Sequence, residues 1–328
     1  MTISRFVARR FYEPEIEALR YLPEGPRVLR NAPFAEPTVA WVAIQHGADA
    51  REGSINLLDL KTQRNRSFVL PGRPGFFVET IEPGLLLVGM ERRLVYFDLV
   101  NGRVDETGIV VTNDERVIIN DGLAVDGGVV FGTKHLGFCE PVAALYFYDA
   151  ATRTVRTLLE EQVCSNGKHL CRDAEGLLLV DIDSQPKTIS TYRIDARMER
   201  VVSRSVVESS GFATGFPDGM RAAPNNTGRM EDESVVVAFY NPELVPDGIV
   251  QQIRVRDGAV LCEWVVPGAP RVTCPEFVEM DGEVKLLLTT AVEGMASEGR
   301  SVAPGSGAMY LADTGFERMP DSVPLVAV

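Results

Sequence analysis

Short, unbroken apolar runs recur along the chain: Val39-Ala40-Trp41-Val42-Ala43-Ile44, Leu85-Leu86-Leu87-Val88, Val129-Val130-Phe131, Leu177-Leu178-Leu179-Val180, Val235-Val236-Val237-Ala238 and Leu286-Leu287-Leu288. Runs this short, bounded by glycine and turn residues, predict strands buried on both faces. A more alternating segment follows each, over residues 55–60, 94–99, 144–149, 189–194, 252–255 and 309–312. Alternation predicts strands with one face on a neighbour and one toward polar surroundings. Tight turns are marked by Asn101-Gly102, Asp126-Gly127, Asp257-Gly258 and Asp281-Gly282, pairs that tolerate the positive φ of hairpins. Helical periodicity is not sustained anywhere; the nearest approach, residues 13–22, is short and acidic.

About ten residues before each apolar run stands a polar loop: Glu24-Gly25-Pro26, Gly75-Phe76-Phe77, Asn120-Asp121-Gly122, Ser165-Asn166-Gly167, Pro217-Asp218-Gly219 and Cys274-Pro275-Glu276. With anchors at 24, 75, 120, 166, 218 and 274, the spacings are 51, 45, 46, 52 and 56 residues. A repeat of about 40 to 50 residues is the length of one four-stranded propeller blade. The reading is therefore all-β, a six-bladed β-propeller occupying residues 1–328 as one domain. Open sheet edges invite aggregation, so the ring needs closing. The N-terminal strand is expected to close the last blade, with the apolar ends 4–9 and 323–328 pairing there. In such a ring the first strand of every blade faces one axis, so Glu24, Asn120, Asn166 and Asp218 are expected to converge.

Composition narrows the partners. The net charge is −13, and no run of five basic residues occurs. Nucleic acid and anionic membranes, which are bound by clustered cations, are thus not expected partners. Residues 1–25 hold Glu13, Glu15 and Glu17 and no apolar run of seven, so neither a secretory leader nor a membrane span is expected, and a cytoplasmic location follows. The sequons Asn65-Arg66-Ser67 and Asn225-Asn226-Thr227 then carry no weight. Cys139, Cys164, Cys171, Cys262 and Cys274 are odd in number and form no CxxC pair, and read as buried small apolar residues. With only His46, His135 and His169, a histidine-rich zinc site or a histidine-driven triad has little material.

Several of these stretches, taken in order, resemble the SMP-30/gluconolactonase/regucalcin-like (LRE-like) family of six-bladed propellers, over residues 21–327. They are Leu22-Pro23-Glu24-Gly25-Pro26, Ile119-Asn120-Asp121-Gly122 with Val129-Val130-Phe131-Gly132-Thr133, Ser165-Asn166-Gly167, Val180-Asp181-Ile182-Asp183-Ser184 running to Thr191-Tyr192-Arg193, and Gly215-Phe216-Pro217-Asp218-Gly219-Met220. The resemblance implies that Glu24, Asn166 and Asp218 hold one divalent cation and that Asn120 meets substrate and bound water. Two carboxylates and an amide oxygen are hard donors, suited to Ca²⁺, Mg²⁺ or Mn²⁺, with Zn²⁺ less favoured. Against a 2+ ion they leave the site near neutral, which fits an uncharged lactone or ester. The implied function is a metal-dependent lactonase in which Asp218 accepts a proton and Asn120 orients the developing oxyanion. Similar sugar-lactone enzymes carry arginine two residues before the asparagine, where this chain has Ile118. Arg116, His135, Glu140, Arg221 and Tyr240, with Lys134 and Asn241, are the candidates for contacting substrate instead.

Each residue also has a plainer reading. An Asp or Asn beside glycine is commonly a turn former. Asp121 and Asp183 are expected to bond loop backbone, and His169 to sit at a core edge. Two functional alternatives stay open at this point: a metal-dependent esterase or phosphotriesterase, and a non-catalytic calcium-binding propeller.

Overall fold

In the computed structural model, which describes residues 3–34, 36–225 and 227–328, six sheets are arranged as a β-propeller; Met1, Thr2 and the sequon residue Asn226 lie outside the described residues. Blade one comprises Pro23–Val28, Thr38–Ala43, Gly53–Asp59 and Asn65–Leu70, ordered from the axis outward. Blades two to four repeat this meander, with innermost strands Pro74–Glu79, Val117–Val125 and Ser165–Asp173. Blade five runs Phe216–Ala222, Ser234–Tyr240, Gly248–Arg254 and Val260–Val266, and blade six runs Val272–Met280, Glu283–Thr290 and Met309–Asp313 before taking its outer strand from the N-terminus. Every predicted apolar run lies on a second strand, and every alternating segment lies on a third.

The second strands are apolar on both sides because the blades stack face to face. Ala40 and Val42 pack with Leu86, Val88 and Met90 of blade two, while Val39, Trp41 and Ala43 pack with Val278, Leu287 and Leu311 of blade six. Each remaining pair of adjacent blades encloses its own apolar cluster, so the core is a ring of six wedges rather than one centre.

Ring closure differs from the expectation. Ser4–Val7 adds in parallel to the outer strand of blade five, Ser4 opposite Cys262 and Val7 opposite Val265. Arg9–Tyr12 then crosses to blade six and pairs antiparallel with Met309–Asp313. The C-terminal residues do not join it: Val326 bridges Thr80 in blade two, its N–H bonded to Glu79 O at 3.0 Å. Phe6 stacks on Trp264 at 6.0 Å, an aromatic contact that anchors the first crossing. Helix is confined to two 3-10 turns and the six-residue Ser297–Val302, and no helix among the described residues is long and apolar enough to cross a membrane.

Candidate metal centre and substrate cavity

The six anchors are not loops. They lie on the innermost strands, each at or beside a β-bulge, with the register slipping between Glu24/Arg27, Pro74/Phe76, Ile119/Gly122, Ser165/Lys168, Pro217/Met220 and Val272/Cys274. A bulge inserts an unpaired residue and re-aims its side chain, so a rule written for turns found these positions for a different reason. In blade six the slip centres on Thr273 rather than on Pro275-Glu276. Glycine follows because neighbouring inner strands crowd the axis. A Cβ on Gly167 would meet Met220 Cβ at 2.3 Å, and one on Gly219 would meet Cys274 Sγ at 2.5 Å.

Glu24, Asn120, Asn166 and Asp218 open on one cavity of about 410 Å³ at the N-terminal ends of the inner strands. Hydrogen bonds between blades fix the two amides. Asn120 Nδ2 donates to Ser165 O at 3.0 Å; Asn166 Nδ2 donates to Ser184 Oγ at 3.2 Å, which itself donates to Pro217 O at 2.7 Å. Both amide nitrogens are thereby held by protein, and each Oδ1 is left without a donor among the described residues. Beneath them Lys168 Nζ donates to Asn166 O at 2.5 Å and to Ser165 Oγ at 3.0 Å, and pairs with Asp181 at 3.1 Å.

The carboxylates are poorly compensated. Among the described residues Glu24 accepts only the Gly25 N–H, at 2.7 Å, and Asp218 accepts no hydrogen bond. The Glu24 carboxyl is pushed up to about 8, by burial first and by Asp121 second, with Gly25, Lys134 and Arg221 offsetting this only in part. Asp218 is raised well above the usual carboxylate range, by burial first and by Glu24 second. Two buried acids facing two free amide oxygens form a set of hard oxygen donors with no ion-paired cation among the described residues, and such a set fits a hard divalent cation.

The other sequence candidates divide. Tyr240 and Lys134 line the same cavity, Tyr240 Oη donating to Glu293 O at 3.0 Å. Lys134 and His135 are not in a loop but end the strand Gly128–His135, where Lys134 stands opposite Ile118. Arg116, His135 and Glu140 fall outside the cavity. Arg116 is exposed and pairs with Asp114 and Glu140, both at 2.7 Å. His135 Nδ1 accepts the N–H groups of Cys139 and Glu140. His135, Cys139 and Glu140 bring ligand-type atoms within 4.8 Å of one another, yet the imidazole Nδ1 and the carboxylate are already engaged. Arg221 faces the opposite end of the axis, in a second cavity of about 870 Å³, where it bonds Glu276, Met220 O and Pro26 O. Asn241 is buried next to the cavity and bonds Thr214.

Asp121 accepts the Gly122 N–H and Asp183 those of Val163 and Cys164, as backbone anchors do. His169 pairs with Glu233 at 2.7 Å, between blades four and five. Of the cysteines, Cys164, Cys262 and Cys274 are buried, but Cys171 is half-buried and Cys139 exposed. Sequence reasoning missed Tyr21, Ser184, Phe216, Arg271 and Glu293, which complete the wall. Arg271 was discoverable: it stands just before the sixth inner strand, the same end at which the other blades present their oxygen donors.

Residues 22–292 match the SMP-30/Gluconolactonase/LRE-like region. An L-arabinolactonase of Azospirillum brasilense is 27% identical over 253 residues, covering 75% of this chain and 76% of that protein. Among solved structures, the calcium-binding protein regucalcin of Agrobacterium tumefaciens superposes with a TM-score of 0.78 at 20% identity, over 100% of both chains. A gluconolactonase of Xanthomonas campestris superposes with a TM-score of 0.61 at 14% identity, over 93% of this chain and 89% of its own.

Proposed function

The chain belongs to the SMP-30/gluconolactonase/LRE-like family, and from that premise we propose that it is a divalent-metal-dependent lactonase. The observation that carries the reading is the uncompensated donor set itself. Glu24, Asn166 and Asp218 would hold Ca²⁺, Mg²⁺ or Mn²⁺, and Asn120 would face the substrate beside it. The similarity to an L-arabinolactonase supports a lactone as the substrate class, and the cavity is of a size to take one small ring.

Bound there, the cation would supply Lewis acidity toward the lactone carbonyl. The protein's own share is positioning and proton transfer. Tyr21, Phe138, Phe216 and Tyr240 wall the ring and exclude bulk water. An Asp218 carboxylate oxygen takes the proton of the attacking water. Asn120 acts through its oxygen: with Nδ2 committed to Ser165 O, it accepts a hydrogen bond from that water or from a substrate hydroxyl. This replaces the oxyanion-donor role expected from the sequence.

The test is a pH-stat screen of lactones before and after EDTA, with Mg²⁺, Ca²⁺, Mn²⁺ and Zn²⁺ added back singly. Acid release should vanish on chelation, return with a hard cation, and be absent in Asp218→Ala. Full turnover in Asp218→Ala would remove the assignment. Cation binding with no turnover on any lactone or ester would leave a calcium-binding propeller.

A further inference from the structure

Two lysines are buried near the axis, and they are treated differently. Lys168, 3% exposed, is fully satisfied by Asp181, Ser165 and Asn166 O. Lys134, 7% exposed, has no carboxylate within ion-pairing distance and no hydrogen-bond acceptor among the described residues; its Nζ lies 5.7 Å from the centre of the Phe138 ring, on the cavity wall. Although the residue as a whole is buried, Nζ reaches the open cavity, where it is available to an acceptor that a ligand brings in.

The charge around the cavity points the same way. Three acids of the wall, Glu24, Asp218 and Glu293, face the cations Lys134 and Arg271, and Asp121 stands close enough to act on Glu24 and Asp218 as a fourth acid. A divalent ion on Glu24 and Asp218 would offset the two ligand charges, and Lys134 would then lose the field of those carboxylates as its compensation. Arg271 is locked by Glu293 O and Pro242 O and stands over the Tyr240 ring, and its remaining Nε is buried away from the cavity, so it contributes a fixed field. The charged donor left open to the cavity is Lys134.

We propose that Lys134 receives a carboxylate carried by the substrate, so that the pocket selects lactones of sugar diacids over neutral lactones. This rests on the lactonase reading and adds the substrate class to it. A single ammonium matches a monoanion such as a carboxylate better than a phosphate dianion.

The experiment compares D-glucaro-1,4-lactone, which bears a carboxylate, with neutral D-glucono-1,4-lactone in wild type, Lys134→Met and Lys134→Arg. Wild type should prefer the charged lactone in kcat/KM. Lys134→Met should reduce that preference by about 10- to 100-fold, the span of one charge-assisted hydrogen bond, and Lys134→Arg should retain most of it. A wild type without preference, or a Lys134→Met ratio equal to wild type, overturns the proposal. Calorimetric titration of the Mg²⁺-loaded protein with glucarate and with the uncharged polyol D-glucitol reads the same preference without turnover. If wild type hydrolyses no lactone, the lactonase reading fails, and tighter glucarate binding lost in Lys134→Met still supports the carboxylate site; equal binding of the two compounds overturns it.

Discussion

Stripping the cation while sweeping pH reads the electrostatics of the donor set directly. Without a cation the Glu24 carboxyl titrates at about 8, against an ordinary value of 4.5, and Asp218 is displaced in the same direction. Between those limits the folded protein retains protons that the unfolded chain has released. The stability tied to these groups is therefore complete below 4.5 and is lost as pH rises through about 8. For the coupled pair Glu24 and Asp218 the displacement is a loss of several kcal/mol at the upper end. A bound hard cation holds both acids ionised and removes that downward slope. At about 100 times its Kd it adds ~2.7 kcal/mol, which is about 4 °C in Tm for a chain of this size. The assay is thermal melting between about pH 5 and pH 8.5, after EDTA and again with saturating Mg²⁺ or Ca²⁺. Asp181 and Asp183 are also raised by burial, so the decisive quantity is the gap between loaded and stripped curves, which should widen toward high pH. Parallel curves, or a stripped protein that gains stability over this range, would refute the reasoning. Glu24→Gln should flatten the stripped curve and remove most of the cation-induced gap.

Three further outcomes follow from the packing. Gly167→Ala places a Cβ 2.5 Å from Met220 N, so the inner strands of blades four and five must separate; a loss of about 1–3 kcal/mol in chemical denaturation, with weaker cation binding through Asn166, is expected, and unchanged stability would contradict so close an approach. Lys168→Met leaves Asp181 buried without its counter-charge; urea melts should show a loss of about 3–5 kcal/mol, and a neutral result would mean that Asp181 is held by Gln162 and Ser165 alone. Deleting residues 1–12 removes the Phe6 stack on Trp264 and uncovers the outer edge of blade six; Tm should fall by several degrees and tryptophan emission should shift to the red, whereas an unaltered melt would show that the crossing strand contributes nothing.

The blade pattern was legible because it is local. Val39 to Ala43 must satisfy two neighbouring blades at once, which forces a continuous apolar run, and the hairpin glycines Gly102, Gly127, Gly258 and Gly282 all adopt the positive φ that such turns need. The metal-type residues were found because a bulge next to a crowded axis asks for the same Asn, Asp and Gly vocabulary as a turn. What failed depends on distance across the ring. Arg221 is buried and Tyr240 half-buried near the axis, yet Arg221 stands three residues beyond Asp218 on its strand and so belongs to the far end. Arg116 lies before the strand that carries Asn120, and exposed partners hold it outside. The destination of Val326 in blade two has no sequence signal, since a single bridge sets no periodicity.

The crossing of the N-terminal segment from blade five to blade six bears on how the molecule is made. Ser4 meets a partner 258 residues later, Cys262, and Arg9 meets one 302 residues later, Leu311. At translation speeds of about 5–20 residues per second the segment waits roughly 15–60 s on the ribosome for something to dock on. Hairpins can zip as they emerge, but the seam joining beginning to end is a late, non-local event. Nascent chains stalled before residue 260 would thus carry unsealed flanks, and rigidity would reach the ring in one terminal step instead of accumulating with each added unit.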